Sequence, residues 1–304
     1  MTTKVPLYPL KFTPILKQKV WGGTKLNKLL QKKAEGNVGE SWEISGVDEN
    51  ISEIANGPFQ GKSLNWALEN YREKLVGENV FKNFGIQFPL LFKFIDAHED
   101  LSVQVHPDDF LAKERHNSFG KIEMWYILDV EEDAQLIIGF NQQMSKEKYL
   151  QHLSDNNITE ILNSVAIKKG DAFVLKPGVV HAIGSGVVLA EIQQTSDITY
   201  RIYDWDRPDI NGQPRELHTD LALDAIDFNP PESKLHYDES TNLPRNIGAT
   251  RYFTVNKLNL TSNYLRDLQQ VPSFTVYMCV EGQAVIEAEN FSEEINKGET
   301  ILIP

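Results

Sequence analysis

Apolar and polar residues alternate through Ser102-Val103-Gln104-Val105-His106-Pro107. A period of two marks a strand, and residues two apart then share a face. Gln104 and His106 therefore project together, with Val103 and Val105 turned the other way. Just before this run, Phe88-Pro89-Leu90-Leu91-Phe92-Lys93-Phe94-Ile95-Asp96 has almost no polar face, which predicts a strand in the middle of a sheet or sandwich. Further strands are predicted at 39–45, 123–128 and 134–140. From Val165 the segments shorten to 165–168, 172–176, 179–183, 187–195 and 199–205, with turns at Lys169-Gly170-Asp171, Pro177-Gly178 and Gly184-Ser185-Gly186. Strands this short, at this spacing, indicate an antiparallel sandwich or barrel rather than a parallel α/β sheet.

Helical spacing is confined to fewer stretches. Leu64, Ala67, Leu68, Tyr71 and Leu75 recur at helical intervals behind Ser63, a good N-cap, and Gly77 suits the stop, so a helix is predicted over 64–76. Shorter helical patches lie at 25–33, 109–116 (helix or loop), 145–154 and 158–163. Another begins at Thr219, runs through Ile226 and is stopped by Asn229-Pro230-Pro231. Residues 1–20 read as a proline-punctuated extended lead-in, Val20-Trp21-Gly22-Gly23-Thr24 as a turn, and 232–246 as a polar linker. Strands return at 252–260, 273–280, 283–288 and 300–303. The segments Lys169 to Pro177 and Lys297 to Pro304 share one order: Lys-Gly-acid, a strand, then Pro. This predicts two related β-units, residues 1–230 and a smaller 231–304, the second with its final strands short or missing.

Composition narrows the classes. A chain of 304 residues with 41% hydrophobic and 24% charged residues is ordinary for a soluble globular protein. Its net charge of −13 argues against a nucleic-acid partner, which needs a basic footprint. An anionic small substrate stays possible, because a pocket can be locally positive in an acidic protein. No run of about 18 apolar residues is present, so no transmembrane helix is expected, and the first residues lack a signal-peptide pattern. Cys279, the single cysteine, sits in an apolar run and reads as a buried filler. The absence of a disulfide framework fits a cytoplasmic protein.

The residues able to carry chemistry are Gln104, His106, Glu123 and His181. Each comes from a predicted strand or the turn leading into one, and rigid placement is what a metal site needs. Two imidazoles, one carboxylate and one amide oxygen form a shell of charge −1. That suits Zn²⁺ with an open position, though iron, manganese or cobalt could take the same donors. His181 alone fits equally well as a core or turn histidine. His98, His116, His152, His218 and His236 lie in polar segments and read as solvated. A second cluster runs from Glu191 to Arg207, dense in polar, aromatic and basic residues. It is either an exposed strand laced with ion pairs or a set of groups buried for use. Arg201 alternates there with Tyr203 and Trp205, which predicts that it lies over aromatic rings, toward a pocket or solvent.

Four ordered motifs, Gln104-Val105-His106-Pro107-Asp108-Asp109, Gly120-Lys121-Ile122-Glu123-Met124-Trp125-Tyr126, Lys176 to Gly184 and Tyr200 to Arg207, resemble those of the type I mannose-6-phosphate isomerases in their short bacterial form. The resemblance extends from Trp21-Gly22-Gly23 and Gly39-Glu40-Ser41-Trp42-Glu43 to about Phe228. It implies a mainly β, double cupin (jelly-roll) fold with a few short helices inserted. It further implies one Zn²⁺ per chain held by Gln104, His106, Glu123 and His181, with a catalytic role for Arg201. Pro177 directly before Gly178, Ser185 in place of a common cupin Asn, and the long gap from His106 to Glu123 are features of this family too. The helical insertion is much reduced, so the phosphate contacts do not carry over.

The implied reaction interconverts mannose 6-phosphate and fructose 6-phosphate through a cis-enediolate. The chemistry calls for a cation at the developing oxyanion and an acid/base. Arg201 suits the first, and Lys121 and Glu191 are the candidates for substrate binding and proton traffic. For Lys121 a plain strand-edge lysine fits as well. The expected partner is a small sugar phosphate, with no nucleic acid or membrane, in a monomer or homodimer. A non-catalytic sugar-binding cupin is the main alternative, and a metal-dependent oxygenase fits less well, because redox iron usually takes a histidine-rich shell.

Overall fold

The computed structural model describes residues 5–268, 271–288 and 291–304. Two antiparallel sheets form the body. The larger has seven strands in the order Lys234–Leu235, Ala172–Leu175, Glu123–Val130, Val187–Gln194, Leu90–Ala97, Ile15–Gly23, Val38–Ile44. The smaller has five, in the order Tyr200–Tyr203, Val103–Val105, His181–Ile183, Gln135–Phe140, Leu162–Ala166. Ile95, Trp125, Ile127 and Leu189 of the first sheet share one buried cluster with Leu136, Ile138 and Ile183 of the second. The sheets therefore pack face to face as a β-sandwich, as the strand spacing predicts.

The outer faces are covered as well, which explains the apolar run ending at Asp96. Every residue of Leu90–Ala97 is buried. On the outer side Phe94, Val188 and Ala190 pack on Leu26 and Leu30 of the helix Lys25–Leu30. Leu90 and Phe92 pack on Leu64, Leu68 and Leu75. On the smaller sheet Val103, Val105, Tyr200 and Ile202 pack outward against Tyr149, Ile161 and Ala222, under the helices Lys146–Ser154 and Thr219–Ala225. Because side chains alternate, Gln104 and Arg201 are left pointing between the sheets.

The C-terminal part carries three smaller pieces. Arg245–Ala249 pairs with Thr254–Lys257, and Gln283–Ala288 pairs with Phe291–Asn296. Thr300–Ile303 pairs with Thr275–Met278 on one edge and with Leu10–Lys11 on the other. The two Lys-Gly-acid turns have the same construction. Gly170 and Gly298 both have positive φ, and the acid that follows accepts a backbone N–H three residues back, Lys168 N to Asp171 and Asn296 N to Glu299.

Several expectations are corrected. Ser63 caps its helix through Trp66 N, but the helix ends at Tyr71 and restarts as Glu73–Val76, because Arg72 takes a left-handed φ of 53°. A helix Glu78–Phe84 follows between Gly77 and Gly85, both at positive φ. Gly22 and Gly23 lie within the strand Ile15–Gly23 and not in a turn. A Cβ on Gly22 would sit 2.4 Å from Gly39 N, so the glycine serves a close approach of backbones. Helical residues at 158–163 shrink to the 3₁₀ turn Ile158–Ile161. The linker hides Lys234–Leu235, which edges the larger sheet. Cys279 is only half-buried.

Candidate active site

His181 and Arg201 are each the register partner of Gln104 on a neighbouring strand, so the three side chains form a row across the smaller sheet. On the larger sheet Trp42 stands opposite Lys93, Lys93 opposite Glu191, and Glu191 opposite Trp125. The space between the two rows is a cavity of about 290 Å³. Five of the seven residues singled out from the sequence line it: Gln104, Lys121, Glu123, Glu191 and Arg201. The other two, His106 and His181, contact Glu123 through their Nε2 atoms at 3.2 and 3.6 Å.

His106, Glu123 and His181 form a buried cluster whose potential ligand atoms all lie within 4.8 Å of one another. The backbone sets the imidazoles for this. His106 Nδ1 donates to Ile198 O at 2.9 Å, and His181 Nδ1 to Val179 O at 2.8 Å. With Nδ1 carrying the proton, each Nε2 is left unprotonated on the side of Glu123. Burial, followed by the Lys121 charge, pushes His106 down to about 3, and burial lowers His181, so both rings are neutral at neutral pH. Glu123 goes the other way. Lys121 and the two imidazoles outweigh its burial and hold it well below the usual carboxylate range. Among the described residues neither Glu123 oxygen has a hydrogen-bond partner, although Lys121 Nζ stands 2.8 Å from Oε1. A buried, ionised carboxylate beside two unprotonated Nε2 atoms is a donor set that fits a divalent cation. Gln104 Nε2 lies 3.4 Å from His181 Nε2, and turning the amide over presents its oxygen at that point.

Lys121 reaches this cluster from the turn before Glu123, where its N–H donates to Pro107 O at 3.2 Å. Its Nζ is 3.3 Å from His106 Nε2. The floor carries a second charged set. Lys93 Nζ lies 2.8 Å from Glu191 Oε2, and Trp125 Nε1 donates to Glu191 Oε1 at 2.8 Å. Burial works against the Lys93 charge, but Glu191, Glu40 and Glu123 outweigh it and hold Lys93 above the usual lysine range. Burial and the Glu123 charge push Glu191 up.

Arg201 does not lie over aromatic rings. A bulge between Arg201 and Tyr203 breaks the alternation, and Tyr203 and Trp205 turn into the outer core. The Arg201 guanidinium donates from Nη1 to Glu216 O at 2.7 Å, while its buried Nε has no partner among the described residues. Burial and the neighbouring Arg215 lower its pKa. His218, read as solvated, accepts from Arg201 N at 3.1 Å and helps hold this strand. Five basic and four acidic residues line the cavity of a chain with net charge −13, so the site is locally positive.

Sequence reading missed Lys19, Glu40, Lys93 and Arg215. Lys93 had a signal: a lone charge inside an all-apolar strand must have a buried partner. Arg215 had none. It comes from a polar loop and is placed by its ion pair with Asp204.

A jelly-roll sandwich with a histidine- and carboxylate-lined interior is the cupin architecture. Residues 9–141 match the family model for the catalytic domain of phosphomannose isomerase type I, and residues 246–304 that for the cupin domain of mannose-6-phosphate isomerase. The mannose-6-phosphate isomerase ManA of Bacillus subtilis is 35% identical over 100% of this chain and 94% of its own. A mannose-6-phosphate isomerase of Streptococcus mutans is 32% identical over 97% of this chain and 92% of its own. The crystal structure of a B. subtilis mannose 6-phosphate isomerase, at 35% identity, superposes with a TM-score of 0.87 over 97% of this chain and 93% of that one. The chain belongs to the type I phosphomannose isomerase family.

Proposed function

We propose that this protein interconverts mannose 6-phosphate and fructose 6-phosphate, with one zinc ion per chain held by Gln104, His106, Glu123 and His181. The observation that carries the reading is the convergence of two unprotonated Nε2 atoms on the buried Glu123 carboxylate, beside a cavity that also presents Lys121 and Arg201. Membership of the isomerase family supports the substrate, and the cationic lining suits a phosphate ester.

Aldose and ketose phosphates interconvert when a proton moves between C2 and C1 through a cis-enediolate. When bound, zinc supplies Lewis acidity that draws charge from the sugar oxygens. Arg201 is permanently cationic, and its Nε, without a partner among the described residues, can donate to the developing oxyanion. Lys121 and Glu191 border the same space and take the substrate-binding and proton-transfer roles. We read residues 1–230 as the catalytic cupin unit and 231–304 as a second, smaller one. The matched segments 9–141 and 246–304 fall on opposite sides of that division, and two strands cross it, Leu10–Lys11 to pair with Thr300–Ile303 and Lys234–Leu235 to edge the larger sheet. A single cysteine suits a cytoplasmic enzyme.

A coupled assay with mannose 6-phosphate, run beside elemental analysis, tests the proposal. Stoichiometric zinc is expected, with turnover that chelation abolishes and zinc restores. Full activity in metal-stripped protein overturns the metal assignment. Absence of turnover in zinc-loaded protein overturns the isomerase reading in favour of a non-catalytic sugar-binding cupin.

A further inference from the structure

The hairpin Arg245–Ala249/Thr254–Lys257 has its tip at residues 250–253, far along the chain from the cavity. Yet the tip reaches the turn that carries Lys121 and Glu123, through a single carboxylate. Asp109, the first residue of the helix Asp109–His116, accepts from Gly120 N at 3.0 Å and from Gln194 Nε2 at 3.0 Å through Oδ1. Its Oδ2 accepts from Tyr252 OH and, at 3.3 Å, from Arg251 Nη2. Gln194 then grips Ile122 twice, its Oε1 accepting from Ile122 N at 3.0 Å and its own N–H donating to Ile122 O at 3.2 Å. Ile122 lies between Lys121 and Glu123.

Packing reinforces the polar chain. Ile122 and Met124 share a buried cluster with Ile247, and Tyr252 and Phe253 pack against it. The tip is rigid in itself, since Thr250 Oγ1 accepts from Tyr252 N and Phe253 N, both at 3.1 Å. Gly120 lies so close to the helix start that a Cβ there would stand 2.5 Å from Asp109 N. The turn is thus gripped at Gly120 and Ile122, one residue on each side of Lys121.

We propose that Asp109 and Tyr252 are positioning residues for Lys121 and Glu123, so that the C-terminal hairpin tunes the active site without touching substrate. A hydrogen bond to a charged acceptor is worth more than a neutral one, and side chains that must be held to within about 0.5 Å need such support. The functional consequence rests on the isomerase reading above, while the clamp itself does not.

The test compares the full-length wild type with Tyr252→Phe, which removes one hydroxyl and keeps the ring. Amide hydrogen exchange is followed at Gly120 and Ile122, and kcat and KM for mannose 6-phosphate are measured on the zinc-loaded proteins. Exchange faster by about tenfold is expected, the order for losing one hydrogen bond to a charged group. The value of kcat should fall by a similar factor with KM little changed. Ile158→Val, a conservative change in a buried cluster that contains no residue of the hairpin, should lower thermal stability and move neither readout. Unchanged exchange in Tyr252→Phe overturns the proposal, and so does faster exchange with unaltered kcat, which leaves a merely structural contact. A wild type that does not turn over mannose 6-phosphate overturns the isomerase reading instead, and exchange at Ile122 then decides the clamp on its own.

Discussion

Gln104 and His181 stand directly opposite each other on neighbouring antiparallel strands, with Gln104 Nε2 3.4 Å from His181 Nε2. Both side chains are placed by backbone pairing rather than by a loop, so truncating one leaves its neighbours in place. His181→Ala is expected to fold, to bind less than one metal per chain and to lose more than about 100-fold in turnover, since even outer partners of a ligand cost 10–100-fold. Metal content by elemental analysis and circular dichroism of the same sample check this.

Arg201 offers a forked cation whose Nε is buried and, among the described residues, unpartnered. Arg201→Ala should lower kcat by about 100- to 1000-fold, the range for removing one preorganised donor at a developing oxyanion. Arg201→Lys should rescue little, because a point charge cannot reproduce the fork. Steady-state kinetics on both variants, with metal content confirmed, would show it. Near wild-type activity in the lysine variant would point to bulk charge alone.

Lys32 and Glu43 form a buried ion pair at 2.7 Å, with side chains 6% and 3% exposed, and Lys32 also donates to Gly298 O. Burial is the leading influence on Glu43 and raises its pKa against the Lys32 charge. Lys32→Met strands the carboxylate and should cost about 3–5 kcal/mol in urea unfolding. Adding Glu43→Leu to that variant should recover much of the loss, because no charge is then left buried.

Asp109 titrates on the side that stabilises at neutral pH. Burial opposes its charge, but hydrogen bonds from Tyr252, Gln194 and Gly120 win and lower it from 3.8. A carboxyl depressed in the folded state contributes stability above its unfolded value and loses it as pH falls through the folded value. Unfolding free energy should therefore drop below about pH 4. Asp109→Asn should start lower at pH 7 and fall less steeply. Equal slopes in the two proteins would show that Asp109 does not contribute to the acid limb.

Period-two alternation was enough to place Gln104 and His106 on one face, and short local motifs marked Glu123 and His181. These residues sit on or beside strands whose direction a local pattern reports. What local patterns miss is decided by distant backbone. Gly22 looks like a turn residue until Gly39 crosses beside it. The two-residue strand Lys234–Leu235 is too short to show a period. The aromatic face drawn for Arg201 failed because a bulge adds one residue to the count. Lys93 was visible as a charge in an apolar strand, yet its partner Glu191 is a register neighbour from a strand about a hundred residues away.

The pairing of Leu10–Lys11 with Thr300–Ile303 also governs how the chain is made. Leu10–Lys11 leaves the ribosome about 290 residues before its partner strand, as the pairing of Leu10 with Leu302 and Lys11 with Ile301 fixes. Synthesis at about 5–20 residues per second leaves that edge open for tens of seconds. During that time Leu10, fully buried in the finished protein, is exposed to any passing strand or chaperone. Thr300–Ile303 thus closes, late in synthesis, the sheet that Leu10–Lys11 began.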